Sequence, residues 1–135
     1  MKEIEGILNE LEKLEKQYSL VKEKFKKLME QASEGIVIIQ SGIIKYANQS
    51  FAELVGYTLE EINDTPFIEY VHYDEVIKLV KRYKRRMAGE DVIPIYKTML
   101  IDRNGNKVDV EINARIITYH EEPADFVIIK TIKNR

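Results

Sequence analysis

The hydrophobic period of the chain changes once, at Ser33, and that change divides it. Before it, apolar residues fall at Ile4, Ile7, Leu11, Leu14, Tyr18, Val21, Phe25, Leu28 and Ala32, with gaps that alternate three and four without a miss. Residues 1–32 contain no proline and one glycine, Gly6. The spacing predicts an amphipathic, coiled-coil-like helix of about four heptads. After Ser33 the runs become short and β-branched, so residues 33–135 read as a separate globular domain.

Ile36-Val37-Ile38-Ile39 and Ile43-Ile44-Lys45-Tyr46 flank Ser41-Gly42 and read as a hairpin. The segment YANQSFAELVGYTLEEI, residues 46–62, follows. Asn48 can cap a short helix carrying Phe51, Leu54 and Val55, and Gly56 can end it in the left-handed conformation. Thr58 and Glu61 have capping-box spacing for a second short helix, with Leu59 and Ile62 inward. Pro66 is expected at the first helical position of a third. Asp74 is expected to cap a longer helix through Met87, with Val76, Ile77, Val80, Tyr83 and Met87 on one side and Ala88-Gly89 at its end. Residues 93–101 and 107–119 read as strands joined by Asp102-Arg103-Asn104-Gly105-Asn106, a strong turn signal. A last strand is expected over 125–132, after a loop containing Glu121-Glu122-Pro123. Short helices inserted in an otherwise antiparallel sheet define an α+β domain.

Composition narrows the chemistry. The chain has 135 residues, 44% hydrophobic and 33% charged, which fits a soluble folded domain. A net charge of −2 provides no general attraction to nucleic acid or to an anionic membrane. Cysteine is absent, which removes disulfides, thiolate nucleophiles, Cys-ligated metals and any flavin–cysteine adduct. The longest aliphatic run, Ile36–Ile39, is far too short to span a bilayer, and a cytoplasmic location is expected.

The second part resembles a PAS domain from about Ser33 onward. The stretches SEGIVII, YANQSFAELVGYTLEEI, FIEYVHYDE and IDRNGNKVDVEI carry the likeness. They match the family's first strand, its asparagine–helix–Gly-Tyr segment, its histidine–acid turn before the long helix and its Asp/Asn-Gly hairpin. The resemblance implies a five-stranded antiparallel sheet whose helices roof a pocket against the inner face. The sequence departs from the family pattern at Tyr73, where a proline often follows the turn histidine. It departs again at Thr131-Ile132-Lys133, where the family often has an Asp-Ile-Thr junction to an output helix.

No catalytic or metal-binding constellation is present in the sequence, so a non-enzymatic role is expected. The only histidines, His72 and His120, read as structural. The long helix has no histidine to ligate haem, and there is no tryptophan to stack on a flavin. No cofactor is therefore expected. The run Lys81-Arg82-Tyr83-Lys84-Arg85-Arg86 reads as a solvated helix face rather than a nucleic-acid surface, because acidic residues bracket it. The pocket is the functional candidate, with Phe67, Val71, Val80 and Tyr83 expected to face Ile38, Leu100, Ile112 and Ile129. Such a lining suits a small apolar ligand, or a core packed shut by its own side chains.

Strand alternation places Met99 and Ile101 on the outer sheet face, opposite Leu100, and leaves that face substantially apolar. The heptad stripe from Ile4 to Leu28 is the available cover, within a chain or between copies. Residues 1–15 hold five Glu and two Lys, and residues 16–30 hold five Lys and two Glu. A parallel pair would set like charges together, whereas an antiparallel pair or a helix docked on a sheet avoids this. The expected function is a signal-sensing module that binds a small ligand, forms a homodimer, or does both, to regulate a kinase or other output. The alternative is a ligand-free dimerisation scaffold.

Overall fold

A computed structural model of the chain describes residues 1–132. They divide into two units, residues 1–31 and the domain that begins at Ala32. The first is a single helix, α1, Lys2–Gln31. Its heptad stripe is exposed, with at least 42% of the surface of each residue from Ile4 to Leu28 accessible.

The second unit has the expected α+β order. The strands are β1 (Gly35–Gln40), β2 (Ile43–Ala47), β3 (Ile95–Ile101), β4 (Lys107–Tyr119) and β5 (Glu122–Thr131). They pair in the order β2-β1-β5-β4-β3, every pair antiparallel. Between β2 and β3 lie α2 (Gln49–Val55), α3 (Leu59–Ile62), two 3-10 turns (Phe67–Tyr70 and Tyr73–Glu75) and α4 (Val76–Met87).

Asn48 joins three of these pieces. Its Oδ1 accepts from the backbone N–H of Ile36 at 2.9 Å and of Phe51 at 3.1 Å, and its Nδ2 donates to the Glu34 carbonyl at 3.0 Å. One amide thus pairs β1 and caps α2 while almost wholly buried. Gly56 ends α2 at φ 79°, as the sequence predicts. There the Val55 carbonyl accepts from the Arg103 N–H at 2.8 Å, which docks the β3–β4 turn on the helix end. The capping box of Thr58 and Glu61 forms as expected, and Arg103 reaches Glu61 Oε1 at 2.9 Å.

The segment 64–72 bonds to both edges of the sheet. The Asp64 N–H donates to the Ile44 carbonyl, the Ile44 N–H to Thr65, and the Phe67 N–H to Gly42, all along the free side of β2. The His72 N–H then donates to the Met99 carbonyl, and Val71 bridges Leu100, on the free side of β3. On a flat sheet these two outer positions would lie about six strand spacings apart, roughly 29 Å. The turn between them, Phe67–Tyr70, has four residues and reaches at most about 14 Å. The sheet must therefore curl until its edges approach, and both edges are covered in the process.

Several local expectations are corrected. Pro66 stands just before its 3-10 turn, as the N-cap, not at the first helical position. The long helix is not capped by Asp74. The His72 side chain accepts from the Asp74 N–H at 3.2 Å to cap a 3-10 turn, and α4 begins at Val76. Leu59 is exposed while Ile62 is buried. On α4, Ile77 is 70% exposed, while Val76, Val80 and Tyr83 face inward as expected, together with the buried Leu79 and Arg86. β5 starts at Glu122, three residues before the expected 125, because His120 and Glu121 alone make the turn, at φ 50° and 68°. Two consecutive positive φ values form the tight hairpin turn that glycine or asparagine usually marks, and neither residue type is present to mark it. Pro123 then pairs with Thr118, beyond the last β1 partner, Asp125. Lys133 of the expected junction lies outside the described residues.

Two predictions follow from the caps. Asn48→Ala leaves two backbone N–H groups without their acceptor and should lower the urea-unfolding free energy by about 2–4 kcal/mol. Glu61 is held below its usual carboxyl pKa, first by the Thr58 backbone N–H and then by Arg103. Its contribution is therefore present above the unfolded-state pKa and lost as pH falls through the lowered one. Glu61→Gln should flatten that part of the acid limb of a stability–pH profile.

Candidate functional site

The inner face of the curled sheet divides into a packed half and an open half. In the packed half, aromatic rings fill the space. Phe51 stacks near Phe67 with centroids 6.2 Å apart, and its ring meets Tyr70 edge-on at 5.9 Å; Tyr57 meets Tyr70 edge-on at 5.4 Å. Val71, Leu100 and Ile129 are buried in this core. Gly35 fits closely there: a Cβ at that position would lie 3.3 Å from Phe51 Cα and 3.5 Å from Ile129 Cβ, so its neighbours would have to give by a few tenths of an ångström.

The open half is a cavity of about 360 Å³ between α4, the turn at Pro66–Ile68 and the sheet. Of the residues expected to line it, Phe67, Val80, Tyr83 and Ile112 do so. Val71, Leu100 and Ile129 belong instead to the packed core. Ile38 is a correction. Val37 and Ile39 join the inner core, so Ile38, between them in an extended strand, faces the outer side with its partners Tyr46 and Phe126. The run Ile36–Ile39 is apolar throughout and provides no phase from which to choose a face. Met99 and Ile101 do lie on the outer face, both partly buried, opposite Asp109 and Lys107.

Sequence reasoning missed the polar wall of the cavity. Arg86 on α4 and Asp125 on β5 are 8% and 2% exposed. Arg86 Nε donates to Asp125 Oδ1 at 2.9 Å and Nη2 to Oδ2 at 2.7 Å, a bidentate pair. Burial disfavours the charged guanidinium, but the hydrogen bonds and charge of Asp125 outweigh this and hold the Arg86 pKa above its ordinary value. Arg86 Nη1 is buried without a hydrogen bond of ordinary geometry among the described residues, although the Tyr96 side chain also interacts with the guanidinium. Such a donor costs about 1–3 kcal/mol when left unmet. Arg82, one turn earlier, lies over the Tyr96 ring at 4.2 Å, and its Nη1 is likewise buried without an acceptor. Tyr96, also in the wall, has its pKa raised by burial against the opposing pull of both arginines. The basic run 81–86 is therefore not wholly a solvated face. The available signal was Asp125, a charged residue between apolar neighbours in a strand.

Neither histidine adjoins the cavity. His72 is the buried turn cap described above, and His120 is in the β4–β5 turn. Among the described residues no group of three or more His, Asp or Glu is placed to share a metal ion. No helix among them is long and apolar enough to cross a membrane.

With strand order, capped short helices and roofed inner face established, comparison with known proteins is decisive. The family profile described as PAS fold matches residues 23–129. The chain belongs to the PAS family. The PAS domain of a Desulfitobacterium hafniense protein superposes with a TM-score of 0.70 at 23% identity, covering 78% of this chain and 99% of that one. A domain of a sensory box sensor histidine kinase/response regulator from Geobacter sulfurreducens gives 0.67 at 18% identity, covering 82% and 95%. In sequence, an uncharacterised signalling protein of Caulobacter vibrioides is 43% identical over 54 residues. That match covers 39% of this chain and 7% of the Caulobacter protein.

The ion pair in this PAS domain makes a definite prediction. Arg86→Leu or Asp125→Leu alone strands a buried charge and should destabilise by about 3–5 kcal/mol. The double replacement should stay within about 1 kcal/mol of the parent or exceed it, as chemical denaturation of the four proteins would measure.

Proposed function

We propose that this PAS domain is a sensory and dimerisation module of a signalling protein. It binds a small, mostly apolar ligand in the cavity under α4 and pairs with a second copy through the exposed stripe of α1. The cavity is the observation that supports sensing: its volume lies at the lower end of ligand sites, and its wall is largely aliphatic and aromatic. The ligand acts by binding two packings of α4 against the sheet unequally. No haem or flavin takes part, and the role is not enzymatic. The output is a kinase or other regulator in the cytoplasm, in keeping with the signalling proteins among its relatives.

For the dimer, the support is a row of apolar side chains that each keep at least 42% of their surface accessible. The acidic first half and basic second half of the helix favour an antiparallel pair. A ligand-free scaffold is the second reading. It draws on the aromatic packing that already closes half of the space beneath the roof.

Light scattering should return a dimeric mass for the chain, and Leu14→Glu with Val21→Glu should return a monomeric one. A monomeric parent would remove the dimerisation reading. Denaturing mass spectrometry of the purified protein should release a small organic molecule, and its visible spectrum should lack a Soret or flavin band. Loss of cavity binding to every amphiphile tried would leave the scaffold.

A further inference from the structure

The β4–β5 hairpin outgrows the strand beside it. β3 pairs with β4 only as far as Ile95 opposite Asn113, whereas β4 runs on to Tyr119. The Ala114 N–H still donates to the Pro94 carbonyl at 2.9 Å. Coverage ends there, because proline has no N–H to return to the Ala114 carbonyl. Along a strand the peptide groups of successive residues point to alternate sides, and the β4–β5 register continues to Tyr119 opposite Glu122 without a shift. The main-chain groups of Ile116 and Thr118 therefore point the same way as those of Ala114, to the open side. Among the described residues nothing hydrogen-bonds to them there. The other edge of the same hairpin is blunted: Pro123 stands on it, and its carbonyl accepts from Gln40 Nε2 at 3.3 Å. On the open edge Arg115, Ile116 and Thr118 are exposed, as are Ile93 and Ile95 where β3 begins. A bare strand edge with apolar side chains is a template for another strand.

We propose that residues 115–119 pair with the same residues of a second copy, antiparallel about a two-fold axis at Ile117, so that two sheets join edge to edge. The proposal is independent of the cavity and of the α1 stripe. In this register Ile116 lies opposite the second copy's Thr118, and Thr118 opposite its Ile116. These are the residues whose N–H and C=O groups point outward, so each pair exchanges both hydrogen bonds. The neighbouring strand and turn fix the register. A slip of the pairing one way sets the second copy's strand against Pro94, which already occupies the place beside Ala114. A slip the other way shortens the contact, because each strand ends at the His120–Glu121 turn. The side chains suit the same alignment. Arg115 would guard the edge against a like charge, but here it meets the Tyr119 ring, a favourable partner for a guanidinium. Ile117 meets itself, an apolar pair at the axis of an isologous contact. A contact this small belongs to the weak, transient class, with a dissociation constant of about 0.1–1 mM.

The test separates this edge from α1 by using the full chain carrying L14E/V21E. Sedimentation equilibrium of that variant should show a monomer at micromolar concentration and a growing dimer fraction toward about 1 mM. Adding I117K, which brings two like charges together at the axis, should weaken that association about tenfold or more, and I117E should do the same. An equimolar mixture of the two charged proteins should recover the dimer, because only a contact in which residue 117 meets itself converts both repulsions into one attraction. In the parent chain, hydrogen exchange of the Ile116 and Thr118 amides should slow as concentration rises, while that of solvent-exposed turn amides such as Gly105 should not. A strictly monomeric L14E/V21E protein at 1 mM with unchanged exchange at Ile116 and Thr118 would overturn the proposal and leave the α1 dimer untouched. Association that I117K does not weaken, or that the mixture does not restore, would overturn the two-fold register.

Discussion

The constraint on which the domain depends is the clasp formed by residues 64–72. A five-stranded antiparallel sheet has two free edges facing opposite ways. Here one short segment hydrogen-bonds to both, at Ile44 on β2 and Gly42 just before it, and at Met99 on β3. Four residues in a 3-10 turn cannot cross a flat sheet, so the clasp holds only if the sheet is bent. Bending turns the inner face concave, and a concave apolar face must be filled or roofed. Asn48 aligns the roof with the first strand by serving both from one side chain.

What fills the concavity is uneven, and that unevenness is what leaves a site. Phe51, Phe67, Tyr57 and Tyr70 interlock near α2 and α3. Under α4 the rings do not interlock in this way, and helix and sheet meet through the Arg86–Asp125 pair, Arg82 over Tyr96, and Leu79 in the core. An ion pair holds two elements at a set distance without filling the volume around it. It also puts a directional, charged contact where an aromatic one would have packed the space shut. The same arginine thus ties α4 to β5 and gives the cavity its chemical character.

Much of the frame was legible because it rests on local physics. The capping box at Thr58 and Glu61, the stop at Gly56 and the Asp102–Asn106 turn depend on residues within a few positions of one another. The β4–β5 turn was misplaced because His120 and Glu121 adopt positive φ values that their side chains do not advertise. Apolar spacing finds Val76, Val80 and Tyr83 on the inward face of α4, but it also points to Ile77, which is exposed, and passes over Arg86, a buried charge on that face. Hydrophobic periodicity has no means of identifying a buried arginine whose partner lies 39 residues away.

The sequence by itself determined that a heptad helix precedes an antiparallel α+β domain with a roofed inner face, because periodicity, caps and turns are set by neighbours along the chain. Only the tertiary structure decided which way the apolar run Ile36–Ile39 faces, which half of the concavity is filled, and that Arg86 meets Asp125 in its wall. Those outcomes depend on strand register and on the curl imposed by a clasp between distant edges, and long-range pairing of that kind leaves no periodic mark in the chain.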